Sequence, residues 1–268
     1  MHAASFAKTA ASILTAFVVA GAGMQTAQAA QPVLVELFTS EGCSSCPPAD
    51  ALLRSLVTSQ PIAGVEVIAL EEHVDYWNGL GWRDPYSAAQ FTRRQYQYAA
   101  AMHESSAYTP QMVVDGRVGF VGSEAGRAHA AIAAAATARL ATISLTRTYT
   151  QANTVGLRIA MQQLPADSAD KMAEVWLAVT EDDLADRVTA GENDGRRLVH
   201  DAVVRRLERI GQVSVNAAGD YSADPTVTLA PGWHKSHLHA VVFVQGATSR
   251  HILGIASLAL GPVKVTKR

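Results

Sequence analysis

Val33-Leu34-Val35-Glu36-Leu37-Phe38 is an apolar run that leads, through Thr39-Ser40-Glu41, into Gly42-Cys43-Ser44-Ser45-Cys46-Pro47-Pro48. Cys43 and Cys46 are the only cysteines of the 268-residue chain, and they stand three positions apart. A strand that delivers Cys-x-x-Cys to the start of a helix is the sequence form of a redox dithiol. The competing reading is a disulfide that only stabilises. A closed loop of about four residues is worth about 2 kcal/mol in the chain-entropy account, against about 3 for fifteen residues, so a stabilising bridge would join distant segments. Redox chemistry is the stronger expectation.

The N-terminal residues set the compartment. Lys8 supplies a basic start, residues 13–20 an apolar stretch, and Ala27-Gln28-Ala29 a small-residue cleavage site, so residues 1–29 read as a secretory signal. The stretch falls short of the about 20 residues that cross a bilayer. No cysteine follows the cut to carry a lipid, and no later run is apolar enough to span. The mature chain is therefore expected to be soluble and exported, periplasmic or secreted, where oxidants let a dithiol cycle. The formal net charge of −2 implies no strongly basic face and argues against nucleic acid as a partner. With 49% apolar and 17% charged residues, the chain can build a substantial core.

Outward from the cysteines, residues 31–141 alternate in type. A buried strand at 33–38 is followed by a helix that Pro47 and Pro48 can open, since their missing N–H groups are not needed there. Asp50 then lies near the positive helix end, and Leu52, Leu53, Leu56 and Val57 form the buried stripe. A second strand is expected at 65–70. A turn-rich aromatic segment at 75–86 leads to a helix at about 87–102. Asp115-Gly116 marks a primed hairpin turn within 113–118. Ser123 can cap a last, alanine-rich helix reaching about residue 140. Strand, helix, strand, helix, hairpin, helix predicts an α/β layer fold.

From residue 142 onward the texture changes. Alternating runs at 143–150, 154–161, 174–180, 198–207, 226–229, 237–245 and 252–260 predict a mainly antiparallel, sandwich-like β region. The expected organisation is a signal at 1–29, an α/β domain at 30–141 and a β-rich domain at 142–268.

Two features besides the dithiol bear on the site. Thr109-Pro110 stands just before the hairpin, where a cis proline would shape a groove beside the cysteines; an ordinary trans proline opening a strand is the alternative. Glu36 is a carboxylate inside an apolar strand, and such groups are seldom buried unless paired or used. It could relay the proton of the inner thiol, or face solvent. Trp77 and Trp82, with Tyr76 and Tyr86, could line a peptide groove or serve as packing.

These residues carry a resemblance. Residues 31–141 look like a thioredoxin-like domain, and the wider pattern resembles the exported bacterial family called domain of unknown function 1223. The matching stretches are residues 35–50 around the dithiol, His73-Val74-Asp75-Tyr76-Trp77-Asn78 with Gly81-Trp82, Tyr108-Thr109-Pro110-Gln111-Met112-Val113-Val114, and Gly191-Glu192-Asn193 through Gly195-Arg196 to His200-Asp201. The resemblance implies a thioredoxin-like fold and a thiol site, and no substrate. Ser44-Ser45 differs from the Gly-Pro of thioredoxin itself. From their order, Cys43 is expected to be the exposed, attacking thiol and Cys46 the resolving one. Pro47 should bias Cys46 away from helical backbone angles.

Other motifs carry less. His237 and His239 would share one face of a strand beside His234, but no spaced third ligand accompanies them, so no metal site is assigned. The Gly191–Gly195 run reads as a turn. No cofactor is required. The function expected is an exported thiol–disulfide oxidoreductase, with Cys43, Cys46 and Glu36 catalytic, Thr109, Pro110, Trp77 and Trp82 as groove, and protein or small-molecule thiols and disulfides as partners. The alternatives are a soft-metal, Cu(I)-binding or delivery protein, and an interaction domain whose disulfide is only structural.

Overall fold

The computed structural model describes residues 1–2, 30–165, 169–215 and 220–261. The expected signal peptide therefore lies almost wholly outside the described residues. The first half of the chain forms β1 (Gln31–Thr39), α1 (Pro47–Ser59), β2 (Val65–His73), α2 (Ala89–Ala101), β3 (Gln111–Val114), β4 (Val118–Val121) and α3 (Ala125–Ala135). The second half is β-rich: β5 (Thr142–Gln151), β6 (Thr154–Gln162), β7 (Met172–Glu181), β8 (Leu184–Arg187), β9 (Arg197–His200), β10 (Val203–Ser214), β11 (Tyr221–Ala223), β12 (Thr226–Thr228), β13 (Leu238–Gly246) and β14 (Ile252–Ala259). The fold is α/β, with mostly antiparallel sheets and three α-helices among the described residues.

An eight-stranded sheet with the order β14-β13-β7-β10-β2-β1-β3-β4 organises the molecule. The expected division near residue 141 falls between α3 and β5, yet this sheet runs across it. The join is short: β10 lies parallel to β2, with Val203 opposite Glu71, and the Glu71 N–H donates to the Ala202 carbonyl at 2.8 Å. Alternation along β1 and β2 then assigns side chains to opposite layers. Val33, Val35 and Leu37 pack with Val67 and Ala69 against α1 and α3. Leu34, Ile68 and Leu70 face the other way, toward Phe91 of α2. Beyond the join, β5, β6, β11 and β12 form a second sheet. Val155, Leu157 and Ile159 of β6 pack on Val175, Leu177 and Val179 of β7 and on Ala240, Val242 and Val244 of β13.

Several local expectations shift. β2 continues through Glu71, Glu72 and His73, past the apolar run that marked it in sequence. The 198–207 run is two strands, β9 and β10, broken at Ala202, whose φ is 58°. Residue 237 belongs to a 3-10 turn, Lys235–His237, ahead of β13, so His237 and His239 do not share a strand face. Ser123 is not the cap of α3, which starts after Glu124 and ends at Ala135.

The hairpin does carry the primed-turn signature, with positive φ at both Asp115 (48°) and Gly116 (64°). Asp115 is fully buried. One carboxylate oxygen accepts the Leu34 N–H at 2.8 Å, and the Asp115 carbonyl accepts the Ile252 N–H, which ties β1 to β14. Burial pushes the Asp115 carboxyl from 3.8 up to about 7. The native protein thus keeps a proton that the unfolded chain loses near pH 4. This group's contribution to stability is complete below about pH 4 and drains away as pH rises to about 7. Asp115→Asn keeps an acceptor and the left-handed conformation but cannot ionise. It should be more stable than the parent at pH 8 by a few kcal/mol, at most about 4, with the advantage vanishing near pH 4. Urea melts at the two pH values measure this; an equal difference at both would contradict it.

Candidate functional site

The junction between β1 and α1 carries the disulfide. Cys43 and Cys46 are bonded to each other, with Cα atoms 5.4 Å apart. Cys43 Sγ lies 3.3 Å from the Ser45 hydroxyl. Cys46 is the residue before α1, and its carbonyl accepts the N–H groups of Ala49 (2.8 Å) and Asp50 (3.2 Å). Its backbone is helical (φ −77°, ψ −39°), so the bias expected from Pro47 is overridden by these two hydrogen bonds. The helix nevertheless begins only at Pro47, after the dithiol.

Both cysteines have 0% exposure, which corrects the expectation of an exposed Cys43. What covers the loop comes from the second half of the chain. Asn193, itself fully buried, donates through Nδ2 to the carbonyls of Glu41 (2.8 Å) and Cys43 (3.0 Å). A carboxylate oxygen of Glu192 accepts the Ser44 N–H at 3.0 Å. The Gly191–Gly195 run is indeed a turn, but one clasped onto the disulfide loop.

The groove residues gather on the same loop. Trp77 donates its indole N–H to the Thr109 hydroxyl at 2.8 Å, and a Cβ added at Gly42 would meet Trp77 Cβ at 3.2 Å. Trp82 donates to Glu41 Oε2 at 2.7 Å. The Thr109–Pro110 bond is cis. A Cβ at Gly122 would lie 3.1 Å from Ala49 Cβ and 3.3 Å from Pro110 Cβ, so Pro110 stands beside the first turn of α1. The tryptophans thus pin the loop through hydrogen bonds as well as lining it.

Glu36 is not beneath the dithiol. It is fully buried, as expected, but belongs to the opposite face of the sheet. It accepts Arg94 Nε at 2.6 Å and the Tyr98 hydroxyl, both from α2. Arg94 also stands 3.3 Å from Glu72 and donates to Gln245 of β13 at 3.0 Å. Burial pushes the Glu72 carboxyl well above its usual range, against the pull of Arg94. A relay role for Glu36 is excluded by the sheet itself, and the residue serves a buried polar network.

On the dithiol face the buried titratable groups are others. Asp50 sits four residues after Cys46, one helical turn along α1, and accepts the Thr39 hydroxyl at 2.6 Å. Burial, with Glu71 adding to it, pushes Asp50 from 3.8 up to about 7. Glu71 and His73 of β2 share this face, and His200 joins them from the end of β9. His200 Nδ1 is 2.8 Å from Glu71 Oε1, and its Nε2 is 3.4 Å from Glu41 Oε1. His73 Nδ1 is 2.7 Å from Asp84 Oδ2. Burial opposes charge on His200, yet Glu71 and the Glu41 hydrogen bond raise its pKa well above the usual value. His73 is raised too, because Asp84 outweighs burial, and Asp84 is lowered in return, His73 outweighing burial there as well.

Residues 34–245 match the family described as Protein of unknown function (DUF1223). The chain belongs to the DUF1223 family. No curated protein matches it. A crystal structure of an Agrobacterium tumefaciens protein is similar at 24% identity, covering 90% of this chain and 98% of the other with a TM-score of 0.66. HBP35 of Porphyromonas gingivalis is similar at 15% identity, covering 90% of this chain and 79% of the other with a TM-score of 0.61. Both likenesses concern the fold alone.

In this DUF1223 protein the remaining histidine cluster holds apart from the disulfide. His234 Nδ1 is 2.9 Å from Glu181, and His239 Nδ1 is 3.2 Å from Asp182. Sequence reasoning missed Asp50, Glu71, His73, Asn193 and His200 as site residues. The signal was present in the family stretches at 73–78 and 191–201, and in polar residues that directly continue an apolar strand. Among the described residues no helix is long and apolar enough to cross a membrane.

Proposed function

We propose that this DUF1223 protein is an exported thiol–disulfide oxidoreductase whose Cys43–Cys46 bond is the reactive group and whose first half is thioredoxin-like. The observation that carries the reading is the placement of the bond. It closes a four-residue loop at a strand-to-helix junction, where it adds little to stability, with cis Thr109-Pro110 beside the first turn of α1. A disulfide in the folded protein also accords with an oxidising compartment.

In the reaction, a partner thiolate attacks Cys43 Sγ, the Cys43–Cys46 bond breaks, and Cys46 leaves as a thiolate that takes up a proton. A second partner thiolate then attacks its own sulfur in the mixed disulfide and releases Cys43. The partner dithiol loses two electrons and two protons to become a disulfide, and the protein gains both as two thiols; the reverse sequence serves an oxidised partner. Pro47 and Pro48 offer no N–H, and the next two helix N–H groups are bound to Cys46, so helix amides do not stabilise a Cys43 thiolate. The Ser45 hydroxyl, 3.3 Å from Cys43 Sγ, takes that part. Asp50, one turn beyond Cys46, takes the proton role first sought in Glu36.

Because the sulfurs are covered, exchange requires the 191–195 turn to lift. Asn193→Ala removes two hydrogen bonds that hold it down. Loss of about 1.4 kcal/mol should speed reduction of the native protein by dithiothreitol about tenfold. A disulfide that is reduced in parent and variant only at the rate of global unfolding, measured in parallel in urea, would refute the reading.

A further inference from the structure

We propose that Glu71, His73 and His200 form a binding site for one divalent first-row metal ion, Zn(II) being the best match, in the layer directly beneath the disulfide loop. One ligand atom from each residue lies within 4.8 Å of the others. Glu71 Oε1 is 2.8 Å from His200 Nδ1 and 3.7 Å from His73 Nε2. Ligand atoms around a tetrahedral zinc lie about 3.4 Å apart, given bonds of about 2.1 Å. The two short edges bracket that spacing, and a side-chain adjustment closes the third. Two imidazoles and one carboxylate suit zinc and its neighbours rather than magnesium or calcium.

Three independent features favour a metal over a plain ion-pair cluster. First, each histidine turns its other ring nitrogen toward a carboxylate: Asp84 on His73 Nδ1 at 2.7 Å, and Glu41 facing His200 Nε2 at 3.4 Å. Those carboxylates are themselves held, Asp84 by the N–H groups of Glu41 and Tyr86 and Glu41 by the Trp82 indole. Metal-ligating histidines show this outer arrangement, which fixes their tautomer and orientation. Second, His73 Nε2 is buried and has no hydrogen-bond partner, although it points at Glu71. A buried polar nitrogen without a partner is costly unless something else binds it. Third, Glu41, Asp50, Glu71 and Asp84 are buried acids, and among the described residues no lysine or arginine forms an ion pair with any of them. A divalent cation supplies the missing positive charge.

The site lies on the join between β2 and β10. Glu71 is the residue that pairs β2 with β10, His73 ends β2, and His200 ends β9. A metal there would link the two halves of the sheet and fix Glu41, two residues before Cys43. It uses no thiolate, so it is distinct from capture of a soft metal by the dithiol.

The test uses the folded, oxidised protein after chelator treatment, so it does not depend on thiol exchange. Zn(II) or Co(II) is added alone, and bound metal per chain is counted by mass spectrometry after gel filtration. About one equivalent is expected, with a higher melting temperature. His73→Gln and Glu71→Gln should weaken binding at least tenfold, whereas Cys43→Ser/Cys46→Ser should retain it. Should the ligand variants fail to fold, by circular dichroism, the Co(II) spectrum of the parent decides. Visible bands of nitrogen and oxygen ligation without a thiolate charge-transfer band support the site. No stoichiometric binding, binding unchanged in folded His73→Gln, or binding only after reduction with a thiolate band overturns it.

Discussion

Arg94→Met is expected to destabilise the protein by about 3–5 kcal/mol, the range for leaving a buried charge without its partner. Arg94 is 3% exposed and contributes the cation of a network that spans α2, β1, β2 and β13. Its guanidinium carbon lies 5.1 Å from the Tyr98 ring, 5.6 Å from Trp176 and 5.2 Å from Phe243. Methionine can fill much of that aromatic cage, so the cost would report the lost charge rather than a cavity. Glu36 and Glu72 would then face one another with no cation at either, and burial already drives Glu72 toward its neutral form. The double variant Arg94→Met/Glu36→Gln should lose clearly less than the sum of the single changes, since it removes the stranded carboxylate as well. Chemical denaturation of the four proteins gives the coupling. Additive losses would contradict a buried ion pair.

The second large effect concerns the cysteines. Cys43→Ser should abolish thiol–disulfide exchange, and Cys46→Ser should also abolish turnover while accumulating mixed disulfides with partner thiols. The reasoning follows from the sulfur that remains. With Cys46 removed, Cys43 can form a bond to a partner but has no neighbour to displace it. With Cys43 removed, Cys46 stands at the foot of α1, behind the loop that Asn193 and Glu192 hold down. Non-reducing gels after exposure to a thiol-containing peptide read out the trapped species. Stronger trapping by Cys43→Ser would reverse the two roles. Turnover by both single variants at the parent rate would end the assignment.

Much of this architecture was legible because local signals agreed with the global pattern. The apolar run at 33–38, the two prolines after Cys46 and the Asp115-Gly116 turn each name one element, and each stands where expected. The site was less legible for a physical reason. A period-2 strand shows its two faces in alternate residues, but sequence does not say which layer lies on which face. Glu36 and Glu72 therefore went to α2, whereas Glu71 and His73 went to the dithiol side. Polar residues at 71–73 resembled the end of a strand, when they were its functional tip. Asn193 and His200 reach the loop across more than 140 positions, through a sheet that joins the halves at a single register pair. No local pattern encodes that join.

The most direct test of the central claim is the equilibrium reduction potential of the Cys43–Cys46 bond, measured on the native protein in glutathione or dithiothreitol buffers. An exchanging disulfide should titrate above about −300 mV, between about −270 mV for a reductant and about −120 mV for a strong oxidant. A potential well below about −300 mV would mark the bond as structural and contradict the account.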